Sequence, residues 1–356
     1  MKRWDAIVIG AGIIGLSLAI DLNKRGLRVL VVDKGEPGRE ASWAAGGMLA
    51  DFPLEMPASL APLAHASARM YPEFVHELED ESRLKIDLRA EGALVFVDSP
   101  RHRSSGLPTS EALPPLAELE PDVSSATIAS LTALRLQERS VDPRHLTAAA
   151  IGAAKHRGID FSSGDQVVAL EVADGKTAGV RTTKTHFAAG IVVNCAGAWA
   201  GQIAPHSFPT RPVKGQMLCV VMPRKELVRH VIRTPHVYLI PRSDGRMVIG
   251  ATQEEAGFDK RTVPETIQTL RQHALEVVPT LADARILEDW AGLRPGTPDS
   301  LPILGATPTP GYFAATGHFR DGILLAPITA KIMGQLIAGE KPVFDLTAFA
   351  AERFRL

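Results

Sequence analysis

The sequence predicts an α/β protein in which a parallel-sheet domain is joined to a second domain built mostly on an antiparallel sheet (α+β). Three observations support this prediction. A glycine-rich turn between two apolar runs stands at the start of the chain. Apolar runs typical of buried parallel strands return near Ile191 and Tyr312. Between them, short apolar runs separated by turns such as Asp244-Gly245 indicate antiparallel hairpins.

The glycine-rich turn has the pattern G-x-G-x-x-G and follows a short apolar run that begins at Ala6. An amphipathic helix comes next, and a second apolar run from Leu27 ends at Asp33, 18 positions after the third glycine. In such a Rossmann-like unit the glycines permit a tight turn, an approach to a pyrophosphate, and close packing of helix on strand. The helix N-terminus then faces the anion, and the acidic residue can bind a ribose hydroxyl. The motif predicts dinucleotide binding without separating FAD from NAD.

Length and composition limit the number of domains and the classes of function that the chain can have. The 356 residues fit about two domains, and the hydrophobic content of 45% is ample for a core. A net charge of −1 without long charge runs predicts no nucleic-acid binding. Cys195 and Cys219 stand in apolar surroundings, so we expect buried thiols in a reducing compartment. We find no signal-peptide core and no apolar run near the ~20 residues of a membrane span, and therefore expect a cytoplasmic protein.

Neither a metal site nor a hydrolytic triad is expected. The 11 histidines are scattered, and the sequence has no H-E-x-x-H pattern and no cysteine cluster. It also has no G-x-S-x-G pattern.

The rest of the chain is interpreted by periodicity and by turn residues. Asp142 and Pro143 have the N-cap and first-position chemistry of a helix that ends before Gly158. Further helices are predicted over 58–78, with a break near Pro72, and over 264–277, and a surface loop is predicted over 99–108. A helix start is predicted after the glycine turn near Gly322, and another helix over 328–338. Strands are predicted within 84–97 and over 159–162, 166–172, 176–183, 190–195, 218–221, 237–240 and 247–250.

Several segments then resemble the D-amino acid oxidase/glycine oxidase family of FAD enzymes. They are Ser-Trp-Ala-Ala-Gly-Gly-Met-Leu (42–49), the segment ending Cys-Ala-Gly-Ala-Trp (195–199), Tyr-Leu-Ile-Pro-Arg (238–242), Trp-Ala-Gly-Leu-Arg-Pro-Gly-Thr-Pro-Asp (290–299) and Gly-His-Phe-Arg-Asp-Gly-Ile-Leu-Leu-Ala-Pro (317–327). Because they span nearly the whole chain, the resemblance is global, and its glycine oxidases of the thiamine-biosynthesis type match best. It implies a discontinuous FAD-binding domain (1–50, 141–205 and 300–356) and a substrate domain (51–140 and 206–299).

The resemblance also implies where FAD is held. In the family, the loop after the second strand follows the pyrophosphate and ribityl chain, and the position of Val167 contacts adenine by its backbone. The helix that begins near Gly322 places N–H groups and a positive dipole by the flavin C2 carbonyl. The cofactor-binding residues expected are Gly10, Gly12, Ile13, Ile14, Gly15, Asp33, Lys34, Ala41, Ser42, Gly46, Gly47, Met48, Val167, Ala196, Gly197, His318, Phe319, Arg320, Asp321, Gly322, Ile323 and Leu324.

Oxidation of an amino acid to its imine transfers a hydride from Cα to flavin N5, so the cofactor carries the hard chemistry. The protein has to hold the carboxylate, and a planar, bidentate cation is suited to that task. Arg294 matches the family's carboxylate-binding arginine, with a structural ion pair as the alternative. Tyr238 matches the tyrosine that covers the substrate, or is an aromatic of a half-buried strand. Arg320 contacts the substrate, or contacts FAD through its backbone alone.

Three further positions are left open. His236 lines the pocket or packs against its surroundings, and Met48 lies under the flavin or in the core. Gln253 stands where a glycine oxidase is expected to carry an apolar pocket residue, so this sequence departs from the family there and leaves the substrate side chain undecided.

The resemblance therefore predicts oxidative deamination of glycine, sarcosine or a small D-amino acid, with O2 as acceptor and an imine and H2O2 as products, feeding thiazole and thiamine synthesis. The alternative is an FAD-dependent D-amino acid or secondary-amine dehydrogenase that passes electrons to a quinone or carrier. A third interpretation is an FAD-binding protein without catalysis. Relatives that tether flavin to the protein use a cysteine in the segment that corresponds to residues 290–299. This chain has no cysteine there, so FAD is expected to be non-covalent. Whether the protein forms a homo-oligomer is left open.

Overall fold

The structure is a computed structural model and describes residues 4–52, 56–98 and 115–354. The predicted loop over 99–108 lies outside these residues. The described strands are β1 Ala6–Ile9, β2 Val29–Asp33, β3 Met48–Leu49, β4 Leu88–Arg89, β5 Ala93–Asp98, β6 Leu131–Leu136, β7 Arg139–Val141, β8 Asp160–Ser163, β9 Val167–Ala173, β10 Lys176–Thr182, β11 His186–Ala188, β12 Ile191–Asn194, β13 Arg211–Val221, β14 Val231–Arg233, β15 Tyr238–Pro241, β16 Arg246–Gly250, β17 Arg285–Gly296, β18 Ile303–Ala306 and β19 Tyr312–Thr316.

The described α-helices are Ile13–Lys24, Ala41–Ala44, Ala61–Ser82, Leu116–Leu119, Ser125–Ile128, Pro143–His156, Pro264–Val277 and Gly322–Ile337. Short 3-10 helices occur at Ala58–Leu60, Gly197–Gln202, Pro279–Asp283, Thr347–Phe349 and Ala351–Phe354. Asp142 is the predicted N-cap: its carboxylate accepts from the N–H groups of Arg144 and His145. None of the helices in the described ranges is long and apolar enough to cross a bilayer.

A six-stranded sheet in the order β18-β19-β12-β1-β2-β8 forms the first layer. All of its neighbouring strands are parallel except β18, which pairs antiparallel with β19 at the edge. Ala6, Ile7 and Val8 of β1 are fully buried, because helices cover one face of the sheet and the small β9–β11 sheet the other. This confirms the predicted parallel α/β layer.

A seven-stranded sheet in the order β17-β13-β16-β15-β14-β5-β6 forms the second layer. It is antiparallel except where β14 runs parallel to β5, which confirms the mostly antiparallel second sheet. The strand predicted over 218–221 is longer, since β13 starts at Arg211 and pairs along β17 as far as Gly296. The parallel sheet takes its strands from all three ranges expected for the FAD-binding domain, while the domain boundaries themselves stay a prediction.

The first correction concerns the helix expected to break near Pro72. The helix Ala61–Ser82 continues through this proline. Proline has no N–H to offer the carbonyl four residues earlier, and the side chain of Arg139 reaches that carbonyl, Ala68 O, at 3.5 Å. A side chain from a distant strand thus compensates in part for the missing hydrogen bond.

The second correction concerns the two helices expected around Pro327, one starting near Gly322 and another over 328–338. The structure has a single helix, which starts at Gly322 as expected and continues through Pro327. The carbonyl that Pro327 cannot serve is Ile323 O, and the buried hydroxyl of Tyr71 donates to it at 2.5 Å. Ser67 donates to the next carbonyl, Leu324 O, at 2.6 Å. The long helix over 61–82 therefore supplies the donors that let this helix continue through Pro327.

The third correction concerns the alternating run over 84–88, which was predicted to be a strand. Only Leu88–Arg89 is one. The N–H of Ile86 donates to the side chain of Glu79 at 2.7 Å instead of entering a ladder.

Candidate active site

A cavity of about 430 Å³ lies between the two sheets. The carboxyl ends of β1 and β2 open into it, which is where open α/β sheets bind their ligands. The opposite wall comes from the seven-stranded sheet, through Met217 of β13, Tyr238 of β15 and Arg294 of β17. One cavity thus joins a nucleotide-type edge to an antiparallel sheet.

The glycine motif forms the wall at the carboxyl end of β1. Gly10 has φ +102°, and a Cβ there would lie 2.5 Å from Cys195 O of the neighbouring strand. A Cβ on Gly15 would lie 2.0 Å from Gly10 O, so only glycine lets the helix Ile13–Lys24 pack this closely on the turn. The start of that helix lines the cavity, and Ser42 Oγ accepts from the N–H of Ile13 at 2.9 Å.

Charged side chains line the wall after β2: Asp33, Lys34 and Glu40. Asp33 accepts from the N–H of Ala11 at 2.7 Å and from the N–H of Gly35 at 2.8 Å, which ties β2 to the glycine turn. The ammonium of Lys34 lies 3.2 Å from the ring centroid of Trp199, and Lys34 and Glu40 form an ion pair at 3.3 Å. This part of the cavity therefore holds charge of both signs.

Arg242 holds the loop over 41–48 from the second sheet. Its guanidinium donates to Gly46 O at 2.6 Å and to Val141 O at 3.0 Å. The side chain is buried, and this burial lowers its pKa against the opposing charge of Asp142. Gly47 has φ +82°, and a Cβ there would lie 2.0 Å from Val141 O. The sequence singled out Pro241-Arg242 by resemblance alone and did not predict this contact.

Arg294 lines the cavity from the seven-stranded sheet and is held by backbone carbonyls. Its Nη1 donates to Thr252 O at 3.0 Å and, more weakly, to Lys214 O at 3.4 Å. A Cβ on Gly215 would lie 2.3 Å from that nitrogen, so glycine is what leaves room for the guanidinium. No carboxylate in the described ranges forms an ion pair with Arg294. A cation in this setting is suited to an anionic group that enters the cavity.

Tyr238 lies beside Arg294. Burial raises the pKa of its hydroxyl, while the charge and hydrogen bond of Arg294 and the charge of Arg320 act in the opposite direction. The hydroxyl is therefore protonated at neutral pH and can donate a hydrogen bond. Its oxygen lies 3.9 Å from the sulfur of Met217.

Two side chains of types that often take part in catalysis, His318 and Cys195, are buried and uncharged here. Burial lowers the pKa of His318 to about 3, and its Nε2 lies 3.1 Å from the hydroxyl of Thr329, so the ring is neutral. Burial likewise raises the pKa of the Cys195 thiol, which lines the cavity. Neither group is charged near neutral pH, and the described part of the chain holds no cluster of three side chains fit for a metal ion.

A family model described as FAD dependent oxidoreductase (DAO) matches residues 5–336. The chain belongs to this family. It is similar to glycine oxidase of Pseudomonas aeruginosa, with 33% identity over 97% of each chain. It is also 34% identical to the bifunctional protein ThiO/ThiG of Synechocystis sp. over 98% of its own length, which is 54% of that protein. The crystal structure of glycine oxidase from Geobacillus kaustophilus superposes with a TM-score of 0.92 at 30% identity, covering 99% of both chains.

The cavity of this FAD-dependent oxidoreductase fits the cofactor on its own geometry. Gly10 and Gly47 give the cavity wall its shape, because a Cβ would lie 2.5 Å from Cys195 O at Gly10 and 2.0 Å from Val141 O at Gly47. The helix N-terminus that lines the cavity beside them favours an anion such as a pyrophosphate. The small residues over 41–47 leave room for an extended group between the two sheets.

The structure brings most of the predicted site residues to this one cavity, and their roles toward FAD and substrate stay predictions. Gly15, Asp321 and Leu324 do not line it: Gly15 packs on the turn, and Leu324 is buried in the core. The predicted residues that line it are Gly10, Gly12, Ile13, Ile14, Asp33, Lys34, Ala41, Ser42, Gly46, Gly47, Met48, Val167, Ala196, Gly197, Tyr238, Arg294, His318, Phe319, Arg320, Gly322 and Ile323.

The structure also distinguishes His236 from Gln253, two of the positions that the sequence left open. His236 is exposed and does not line the cavity; its ring centroid lies 5.3 Å from that of His273. Gln253 lines the cavity and is exposed, which places it at the mouth. Sequence reasoning missed Gly215 and the carbonyls of Lys214 and Thr252, because only strand pairing brings them to Arg294.

Proposed function

We propose that this FAD-dependent oxidoreductase oxidises glycine or another small amino acid, such as sarcosine or a small D-amino acid, to the imine, the first step of oxidative deamination, with O2 as the electron acceptor and H2O2 as a product. The observation that carries the proposal is Arg294: a guanidinium inside the cavity, held by carbonyls and not paired with a carboxylate in the described ranges. The names of the relatives point to the same substrate.

The substrate carboxylate would pair with Arg294. A planar guanidinium binds a carboxylate through two parallel N–H donors, which fixes orientation as well as position. The protonated hydroxyl of Tyr238 would donate a hydrogen bond to the same ligand, and the charge of Arg320 would add to the attraction. Together these groups would hold Cα in one orientation, which is the main contribution of a protein whose cofactor carries the chemistry.

The amine has to lose its proton before reaction. The cavity residues around Arg294 include no carboxylate, and His318 is neutral and hydrogen-bonded to Thr329. No general base of the described chain is therefore assigned, and the substrate is expected to react as its neutral amine. Activity at subsaturating glycine should rise with pH toward the pKa of the substrate ammonium.

The wall formed by the glycine turn and residues 41–47 would hold FAD, with the pyrophosphate at the start of the helix Ile13–Lys24 and the ribose near Asp33. When bound, FAD supplies the hydride acceptor. The start of the helix Gly322–Ile337 would lie near the flavin ring and stabilise negative charge there. The same proposal includes a cytoplasmic location and leaves a homo-oligomer open. It also includes delivery of the imine product to thiazole synthesis, which the ThiO/ThiG relatives support. A quinone or carrier as acceptor is the less supported alternative.

The test is an anaerobic screen of flavin reduction with glycine, sarcosine, D-alanine, D-proline and hydroxyproline, followed by aerobic assays of peroxide. We expect glycine or another small member of the set to bleach the flavin and to yield one H2O2 per imine in air. Bleaching without peroxide would overturn the choice of O2 and favour the quinone or carrier. A flavin that none of the five compounds reduces would overturn the proposal.

A further inference from the structure

The ladder between β13 and β16 is interrupted beside Arg294. Met217 pairs with Gly250 at the last regular position, and pairing resumes only where Lys214 faces Glu254. Residues 251–253 therefore oppose residues 215–216, which is one residue more than on the partner strand. Such a bulge turns its extra residue out of the ladder and redirects neighbouring groups, and bulges occur often beside active sites.

The bulge brings two groups of this segment to the cavity. The carbonyl of Thr252 accepts from Arg294 at 3.0 Å, and Gln253 lines the mouth. The side chain of Thr252 is bonded elsewhere, since its hydroxyl accepts from the N–H of Gln216 at 2.9 Å and donates to Glu254. The position of the Arg294 acceptor thus depends on what holds this threonine.

Glu254 is the centre of that support. Its carboxylate accepts from the amide of Gln216 at 2.8 Å, from the Thr252 hydroxyl, and faces the ammonium of Lys214 at 3.9 Å. Its backbone exchanges both hydrogen bonds with Lys214 at 2.9 Å. Gln216 is in turn fixed by the N–H of Val263, which donates to its side-chain oxygen at 2.7 Å.

The charge of Glu254 is needed at this place. Lys214 is only 3% exposed, and a buried ammonium is costly without a carboxylate partner. Lys214 also offers the second carbonyl that Arg294 contacts. A single carboxylate therefore anchors both backbone acceptors of the guanidinium from the far side of the sheet.

We propose that Glu254 is a positioning residue for substrate recognition. It fixes the bulge over 251–253, and through Thr252 and Lys214 it fixes the orientation in which Arg294 meets a carboxylate. The inference rests on the proposed function only in taking the ligand of Arg294 to be a carboxylate. Glu254 touches neither substrate nor cofactor in this account, so its loss should weaken binding more than turnover.

The experiment uses the FAD-loaded enzyme and titrates glycolate, which carries the carboxylate of glycine without its amine, by the change in flavin absorbance. Glu254→Ala should raise the Kd of glycolate and the KM of glycine about tenfold, with kcat within about threefold, because orientation of the carboxylate is lost. Glu254→Gln should show an intermediate effect, because an amide oxygen still accepts from Thr252 and Gln216 but does not pair with Lys214.

The matched control is Glu255→Ala. Glu255 is the adjacent carboxylate of the same loop, is exposed, and pairs with Arg211. Its loss should leave the Kd of glycolate within about twofold of the wild-type value. A Glu254→Ala enzyme that binds glycolate as Glu255→Ala does would overturn the inference while leaving the proposed function standing. A wild-type enzyme that fails to bind glycolate would contradict both.

A second variant covers the case in which Glu254→Ala does not fold. Thr252→Val keeps the carbonyl that Arg294 uses and removes the hydroxyl that donates to Glu254. It should raise the Kd of glycolate in the same direction as Glu254→Ala, because the Thr252 carbonyl loses the connection to Glu254 that fixes it. A Thr252→Val enzyme that binds glycolate with the wild-type Kd would overturn the route through Thr252.

Discussion

At the scale of the residue, Arg294 is where the recognition of the substrate is expected to concentrate. Truncation by Arg294→Ala would leave a desolvated carboxylate unpaired, which costs roughly 2–5 kcal/mol. That corresponds to a loss on the order of 30- to several-thousand-fold in kcat/KM for glycine. Arg294→Lys should restore only part of the activity, because a point-like ammonium does not reproduce the planar fork.

The measurement for Arg294 is kcat/KM together with the ratio of flavin to protein absorbance. The flavin content should hardly change in either variant, since the guanidinium is assigned to the substrate. Activity close to wild type in Arg294→Ala would move the carboxylate to Arg320. Loss of flavin together with activity would point to a structural role, through the Tyr238 hydroxyl or the Thr252 carbonyl that Arg294 now contacts.

At the scale of the element, the start of the helix Gly322–Ile337 depends on the helix Ala61–Ser82. Pro327 leaves Ile323 O without its helical donor, and the fully buried Tyr71 supplies one at 2.5 Å. Tyr71→Phe should therefore lower the free energy of unfolding by about 1–3 kcal/mol, the range for a buried polar group left unpaired. Urea denaturation of the FAD-loaded protein measures this loss.

The control for Tyr71 is a double-mutant cycle with Pro327→Ala. An alanine at this position restores the N–H that the helix lacks, so the hydroxyl of Tyr71 should matter less in that background. An equal loss of stability from Tyr71→Phe in both backgrounds would show that the hydroxyl does not compensate for the proline. Because Ile323 lines the cavity, flavin retention is a useful second readout.

The same elements show what could be predicted from the sequence. The glycine turn, β1, β2 and the N-cap at Asp142 are local patterns, and the structure has them as predicted. Breaks at Pro72 and Pro327 were expected because the sequence does not reveal donors such as Arg139 and Tyr71, which are distant along the chain. Tertiary contacts therefore overrode local propensity in both helices.

At the scale of the whole molecule, one cavity collects residues from positions 9 to 323. The sequence located Arg294 and Tyr238, because the segments around them, 290–299 and 238–242, resemble specific motifs of the family. The support behind Arg294 was beyond prediction, since the bulge over 251–253 exists only through the pairing of β13 with β16 and the bridge from Lys214 to Glu254. Arg242 likewise reaches Gly46 only because the two sheets face each other.

The last prediction concerns how the whole molecule retains its cofactor. A covalent link to flavin requires a reactive side chain, and for cysteine the nucleophile is the thiolate. Burial raises the pKa of Cys195 at the cavity wall and raises that of Cys219 to about 11, while His318 is buried with its Nε2 hydrogen-bonded to Thr329. FAD should therefore be held by contacts alone, and precipitation with trichloroacetic acid should release all of the yellow colour into the supernatant. A pellet that stays yellow, or a protein band that fluoresces in a denaturing gel, would contradict this prediction, and Cys195→Ala would then show whether that thiol carries the link.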